Sequence, residues 1–347
     1  MHSAAYTILV TLPFSVCFLW SVILFVEKEK LDKAKKSLLL FSSVCTVLYL
    51  CHALNFLGAG AKWVDSVWIT CSTAVFPLFW LYIRNLTESS YIGTRDYWVV
   101  IPSLLIGAAS LFTDVDTAGK IIMITAVALV CSSGYQRLKR YESKVNNFYS
   151  DTENRNPRPL LLLMILMVIA SFGASALSII GRDFFKESDI VMIPAVVFTV
   201  VLFSIFLVGY RLKFTAQELY APEEAPKKEE NRNQLRDNAM MERIEKLMNG
   251  QEYFKRCGLT IAELAAEIGS NKSYVSSCIN SRTGKTFNEY VNGLRVEEAK
   301  RLILERKDGT PLSEIGESCG FSNEASFYRT FKAYTGMTPS NWRSTQL

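Results

Sequence analysis

Eight cysteines and two histidines are the residues of this chain most able to hold a metal, pair as disulfides or attack a substrate. Their spacing supports none of these. Cys17, Cys45, Cys51, Cys71, Cys131, Cys257, Cys278 and Cys319 include no C-x-x-C pair and no Cys/His cluster, so neither a zinc site nor a disulfide framework is indicated. Five of them fall in apolar segments, where a free thiol behaves as a small hydrophobe. No nucleophile–base set or phosphate-binding loop is legible either, so the chain is expected to be no enzyme and to need no metal or cofactor. The spacing that does carry information lies near the C-terminal end, and it is that of helix starts and stops.

The sequence marks the ends of these helices. From Met240, the residues Met241, Ile244, Leu247 and Met248 fall on one helical face. Thr260-Ile-Ala-Glu263 is a capping box that opens a helix with Leu264, Ala265 and Ile268 as its buried stripe. Gly269 suits the position that ends it, and Asn271 caps a second short helix running from Lys272 to about Arg282. A helix, a tight turn and a second helix form a helix-turn-helix, whose second helix enters the major groove.

Thr286-Phe-Asn-Glu289 is a second capping box and opens a long helix to about Arg306, with Tyr290, Leu294, Ala299 and Leu302 on its inner side. The unit then repeats. A helix is expected from about Pro311 to Cys319, a turn at Gly320, and a helix from Asn323 to about Tyr334 with Ser322 as its N-cap. The runs TGKTFNEY and TGMTPSNW, each following a second helix, show the duplication.

The stretch LTIAELAAEIGSNKSYVSSCINSRTGKTFNEYVNGLRVEEAKRLIL, followed by PLSEIGESCGFSNEASFYRTFKAYTGMTPSNWR, resembles the AraC/XylS family of bacterial transcription regulators. The resemblance covers about 100 residues, and its second half is the more specific, in Gly320-Phe321, Phe327, Arg329, Phe331-Lys332, Gly336, Pro339 and Arg343. It implies a soluble seven-helix domain whose two recognition helices reach successive major-groove faces of promoter DNA. By position, Ser273, Ser276 and Ser277 would face the bases from the first recognition helix, with Asn280 nearer the backbone. Asn323, Glu324 and Ser326 would face the groove from the second, where Arg329 would bond a base edge or a phosphate. The first recognition helix departs from the family in having Ser277, Asn280 and Ser281 where basic residues are common. Serine discriminates poorly among bases, so more readout is expected from the second unit and from DNA shape. Phe321, Phe327 and Phe331 are expected to be core.

The rest of the chain needs another solvent. Half of the 347 residues are hydrophobic and a fifth are charged, with apolar blocks filling residues 6 to 210. A hydrocarbon core about 30 Å thick requires roughly 20 apolar residues in a helix. Seven segments meet or approach this, at about 6–26, 38–57, 64–83, 97–113, 119–135, 160–181 and 190–210, the fourth and fifth being short. The first is read as a retained membrane helix, since it lacks the basic region and cleavage site of a secretory signal.

With a cytoplasmic C-terminal part, the loops on the inner side hold thirteen Lys and Arg, including Lys28, Lys33, Arg84, Arg137, Lys144 and Arg158. Those on the outer side hold only Lys62, Lys120, Arg182 and Lys186, as the positive-inside rule requires. His52 is the one deep titratable residue and the candidate for sensing or ligand binding, although a lone His more often bonds a neighbouring helix. No span carries the paired carboxylates of an ion-coupled carrier.

The fold class expected is therefore all-α. Residues 1–212 would form a polytopic membrane domain of about seven spans, 213–239 a charged linker, and 240–347 the double helix-turn-helix domain. Residues 251–347 carry thirteen Lys and Arg against eleven Asp and Glu, so any DNA contact depends on placed charges and not on a global field. The reading that follows is a membrane-bound transcription regulator of the bacterial inner membrane, responding to a small-molecule or membrane signal. Its partners would be double-stranded promoter DNA, the lipid bilayer, RNA polymerase and a second copy as homodimer. Two alternatives stand beside it. One is a receptor or transport-like protein whose C-terminal domain binds protein, and the other is a DNA-binding regulator whose spans only anchor it.

Overall fold

The structure, a computed structural model, describes residues 4–88, 94–113, 115–180, 192–213, 216–220, 234–305 and 310–346. Among the described residues the regular elements are helices, with a single isolated β-bridge between Tyr149 and Thr260. They form two compact units. The first comprises Met1–Tyr141 with Pro157–Tyr220, and the second Glu142–Asn156 with Ala221–Leu347.

The first unit contains α1 (Ala4–Val26), α2 (Lys33–Phe56), α3 (Lys62–Thr87), α4 (Ile101–Ser110), α5 (Asp116–Leu129), the start of α6 (Tyr135–Phe148), α7 (Arg158–Ile180) and α8 (Met192–Arg211). A short turn of helix, α9 (Ala216–Leu219), follows. α3 is the most buried of these, packed by α2, α4 and α5. Phe41, Phe79, Tyr82 and Phe206 fill the middle of the core, with ring centroids 5.4 Å apart for Phe41 and Phe79 and 5.6 Å for Phe41 and Phe206. Trp20 packs on Phe203, Phe206 and Tyr210.

Small polar side chains knit these helices. The Ser21 hydroxyl lies 3.1 Å from both Ser42 Oγ and Thr46 Oγ1, and Ser66 donates to the Gly107 carbonyl at 2.5 Å. Gly107 is needed where it stands, because a Cβ there would run into Thr70 across the α3–α4 contact. The outward faces are apolar. Phe18, Phe25, Leu105, Ile121, Leu162, Ile169 and Val200 are among the large exposed hydrophobics.

The apolar segments differ in length, and two expectations, on His52 and on the end of α5, need correction. Lys33–Asn55, Lys62–Thr87 and Ile193–Arg211 are long and apolar enough to cross a membrane, whereas Thr11–Val26, Tyr97–Ser110 and Arg158–Gly173 are apolar but shorter. Helices α1 and α7 as a whole each run to 23 residues, the length that a span requires. His52 is exposed and lies one turn from the end of α2, so it does not face the helix bundle. Arg182 and Lys186, and most of the expected linker, fall outside the described residues. Helix α5 does not end in a loop at residue 135. It continues through a π-turn at Val130–Gly134 into α6, so Arg137, Lys139, Arg140 and Lys144 sit on a helix.

The second unit contains the end of α6, α10 (Gln234–Glu245), α11 (Ile261–Glu267), α12 (Lys272–Thr283), α13 (Phe287–Glu305), α14 (Leu312–Ser318), α15 (Glu324–Thr335) and α16 (Pro339–Gln346). α10 starts six residues before Met240, inside the stretch expected to be linker. Two small cores are strung on α13. Phe287, Tyr290 and Val291 pack with Leu264, Val275 and Ile279, while Val296, Ala299 and Ile303 pack with Ile315, Phe321, Phe327 and Phe331. The three phenylalanines are core, as their apolar spacing predicts.

Candidate nucleic-acid interface

Each helix-turn-helix is set by local chemistry. In the first, the Thr260 and Glu263 pair closes both ways. Glu263 N–H donates to Thr260 Oγ1 at 3.3 Å, and Thr260 N–H donates to Glu263 Oε2 at 2.7 Å. Gly269 takes φ 66° to end α11, and Asn271 Oδ1 accepts from Tyr274 N–H at 2.7 Å to begin α12. The second box, Thr286 with Glu289, opens α13 in the same way. Behind α12, Tyr274 donates to Asp237 Oδ1 at 2.9 Å and Cys278 donates to the Asp237 carbonyl at 3.4 Å, so α10 holds that helix from one side.

Within the same compact unit, the second helix-turn-helix is tied to the loop before the first at Gly320. Its φ is 91°, and a Cβ there would collide with the Lys255 carbonyl. Lys255 in turn pairs with Glu298 at 2.8 Å, and Glu298 pairs with Arg301 at 2.7 Å. The Arg301 hydrogen bonds come first among the causes that hold the Glu298 carboxyl down at about 2. Arg343, one of the residues that carry the family resemblance, donates to the Thr310 carbonyl at 2.9 Å and fixes the entry to α14.

The residues expected to touch DNA divide by exposure. On α12, Ser273 is exposed, and Ser276, Ser277 and Asn280 are half-buried. The Asn280 amide donates to the Ser276 carbonyl at 2.9 Å and to Asn147 Oδ1 at 3.2 Å. On α15, Glu324, Ala325, Arg329 and Lys332 are exposed along one face. Ser326, between them in sequence, is buried at 9% exposed.

The cap of α15 also differs from expectation. It is Asn323, not Ser322, whose side chain accepts from Ser326 N–H at 2.8 Å. Asn323 has the extended backbone of an N-cap, φ −166° and ψ 166°, and asparagine is among the strongest capping residues. Its Oδ1 is thereby engaged in the cap, and the amide nitrogen is the group that reaches outward. That nitrogen donates to Glu153 Oε2 at 2.5 Å, and the Ser322 hydroxyl donates to Asp151 Oδ2. These contacts of Asp151 and Glu153 with the start of α15 are ones that the periodicity of the sequence did not reveal. No group of three or more His, Cys, Asp or Glu residues that could hold a metal ion occurs among the described residues.

A short exposed helix presenting Arg329 and Lys332, preceded by a glycine turn and duplicated at a fixed distance along α13, is the arrangement of a paired groove reader. Residues 264–345 match the helix-turn-helix domain. It is a helix-turn-helix domain of the AraC type. The curated relatives agree over the same region. An uncharacterised HTH-type transcriptional regulator, YobQ of Bacillus subtilis, is 41% identical over 87 residues, which is 25% of this chain and 35% of that protein. The probable transcriptional regulator LumQ of Photobacterium leiognathi is 32% identical over 111 residues, 31% of this chain and 44% of that protein.

The chain thus spans less than half the length of these relatives, and the likeness is one of helix-turn-helix domains. A solved protein of unknown function from Listeria innocua is 30% identical and covers 30% of this chain and 95% of its own, with a TM-score of 0.28.

Proposed function

We propose that this chain is a transcription regulator that binds promoter DNA through residues 234–346 and receives its signal through a first unit seated in a membrane. The observation that carries the DNA half is the exposed face of α15. Arg329 and Lys332 stand one turn apart there, on the helix that the helix-turn-helix match makes the recognition helix. Arginine suits this place, because its planar fork meets guanine or a phosphate through two hydrogen bonds. Ser273, Ser276, Ser277 and Asn280 would contribute positioning contacts from α12, and Glu324 would border the groove.

The membrane half of the reading is supported by three long apolar helices, by exposed apolar faces across the first unit, and by the thirteen-to-four distribution of basic residues. A bilayer would cover those faces, which water would not. An orientation with the basic loops inside would put the DNA-binding part in the cytoplasm, where a chromosome is within reach.

Genome-wide mapping of DNA bound to the intact chain tests the first half. Discrete promoter sites recovered with the wild type and lost with Arg329→Ala are the expected result. A reporter fused after residue 346 tests the second half, since an extracytoplasmic tail would put the domain beyond any promoter.

A further inference from the structure

The second unit contains a segment that comes from far away in sequence. Residues 142–156, the end of α6 and the stretch that leads to α7, lie more than seventy residues before α10, yet they belong to the same compact unit as the helix-turn-helix domain. They are fastened to it in two ways. The first is an anchor. The Ser150 N–H donates to the Leu259 carbonyl at 2.9 Å, and the Ser150 carbonyl accepts from Asn288 at 2.7 Å and from Asn292 at 3.1 Å. Arg295 Nη2 reaches Ser150 Oγ at 3.4 Å, so one polar stripe of α13 grips a single residue.

The second attachment touches both recognition helices. Asn147 accepts from Asn280 on α12, and Phe148 lies beneath the Lys272 ammonium, 5.8 Å from ring centroid to nitrogen. Asp151 and Glu153 accept from Ser322 and Asn323 at the start of α15.

The groups engaged here are the kind that proteins offer to a DNA backbone. Hydroxyls, side-chain amides, a lysine and the first residues of a recognition helix supply most phosphate contacts. Two of their present partners are carboxylates, which resemble a phosphate in charge and in accepting two hydrogen bonds. They also add two negative charges beside Glu324, and that end of α15 then repels a polyanion. Carboxylates and phosphates cannot share these donors.

We propose that Asp151 and Glu153 form an intramolecular competitor for the DNA backbone, an autoinhibitory strap that must leave the N-terminus of α15 before the duplex is bound. The inference rests on the DNA-binding reading above. The Tyr149–Ser150 anchor keeps the strap at hand, and the acidic arm beyond it moves. Both ends of the strap continue into chain that belongs to the first unit, α6 up to Tyr141 and the stretch from Pro157 into α7. A change in that unit can therefore shift the balance between docked and released arms without any ligand touching the DNA-binding part. An equilibrium of this kind lowers the apparent affinity by the fraction of molecules in the released state.

The test uses the full chain in detergent and a labelled 40-base-pair duplex of mixed sequence. Asp151→Asn with Glu153→Gln keeps the shapes and removes the charges. This pair should bind about tenfold more tightly than the wild type, a gain equal to the inverse of the released fraction. Glu242→Gln with Glu245→Gln, the same charge change on exposed positions of α10, should shift affinity less than about twofold, as expected of charge removed away from the phosphates. Equal gains from both pairs, or no gain from the first, overturn the proposal.

Should the first pair fail to fold, hydrogen exchange on the wild type decides the matter. Saturating duplex should deprotect the Glu153 and Arg155 amides, and undiminished protection in the complex also overturns the strap. If no variant binds any duplex at low salt, the DNA-binding reading itself falls. Equal binding by all variants removes the strap alone.

Discussion

The Arg295 guanidinium donates to the Arg256 carbonyl at 2.7 Å, so a cation that is 1% exposed serves a loop of the same unit. Nε of the same side chain donates to the Phe254 carbonyl at 2.8 Å. Together these bonds tie α13 to the turn after α10. Burial lowers the Arg295 pKa to about 10, which still leaves it charged at neutral pH. A buried charge is tolerable only where its hydrogen bonds are made, and here four partners surround it.

Arg295→Met should therefore destabilise the second unit by about 3 kcal/mol, because two buried carbonyls lose their charged donor at once. Arg295→Lys should recover little of this, since one ammonium cannot span the positions of a planar fork. Hydrogen exchange of the α13 amides in the full chain reads both effects. Protection equal to wild type in either variant would show that the carbonyls find other donors.

Gly320 and Gly336 separate two costs that usually come together. Both have positive φ, 91° and 80°, but a Cβ at Gly336 meets nothing within 4 Å, while at Gly320 it strikes backbone. Gly336→Ala should cost about 1 kcal/mol from conformation alone. Gly320→Ala should cost at least about 2 kcal/mol, because the Lys255 carbonyl cannot move aside without loosening the Lys255–Glu298 pair. Urea midpoints of the two variants, measured on the same preparation, should differ in that order.

What the sequence made legible was local. Both capping boxes, the Asn271 cap and the Gly269 turn follow from four-residue patterns whose physics is complete within one turn of helix. The two cores follow from apolar periodicity in the same way. The strap at 147–153 was not legible, because its partners lie more than a hundred residues away and are polar, and polar contacts leave no period. Ser322 and Asn323 are both competent caps, and what separates them is the Asp151 carboxylate that draws the serine hydroxyl outward. Ser326 is expected in the groove from the family pattern, and in the structure it is 9% exposed. The continuous helix from α5 into α6 was missed for a related reason. The hydrophobic stretch stops near residue 135, yet the backbone hydrogen bonds do not.

Acid should find the Glu298 network before it reaches the cores. The Glu298 carboxyl is held near 2, below its ordinary 4.5, by hydrogen bonds from Arg301 and then Lys255. Its folded-state pKa is depressed, so its stabilisation is fully present above about 4.5 and is lost as the pH falls towards 2. Glu298→Gln should reduce stability at neutral pH by about 1 kcal/mol, the scale of a partly screened ion pair. The difference between variant and wild type should shrink steadily over the same window. A gap that stays constant down to pH 2 would mean that the charge of Glu298 contributes nothing.

Arg329 offers the most direct check on the interface, because its side chain stands outside the cores of the unit. It is exposed on α15, one turn before Lys332, and away from the Phe327 and Phe331 core face. Arg329→Ala should leave the unfolding midpoint unchanged and weaken DNA binding by about tenfold or more, the loss expected for one bidentate contact of about 1–3 kcal/mol. Salt then tells which atoms it meets. Loss of a phosphate contact lowers the slope of affinity against salt by about one and weakens all sequences alike, while loss of a base contact leaves the slope and blurs preference at one position. Its neighbour Lys332 should behave as a phosphate contact in the same assay, since a lone ammonium reads charge and not base edges. An Arg329→Ala chain that binds every duplex as tightly as the wild type would remove α15 from the groove.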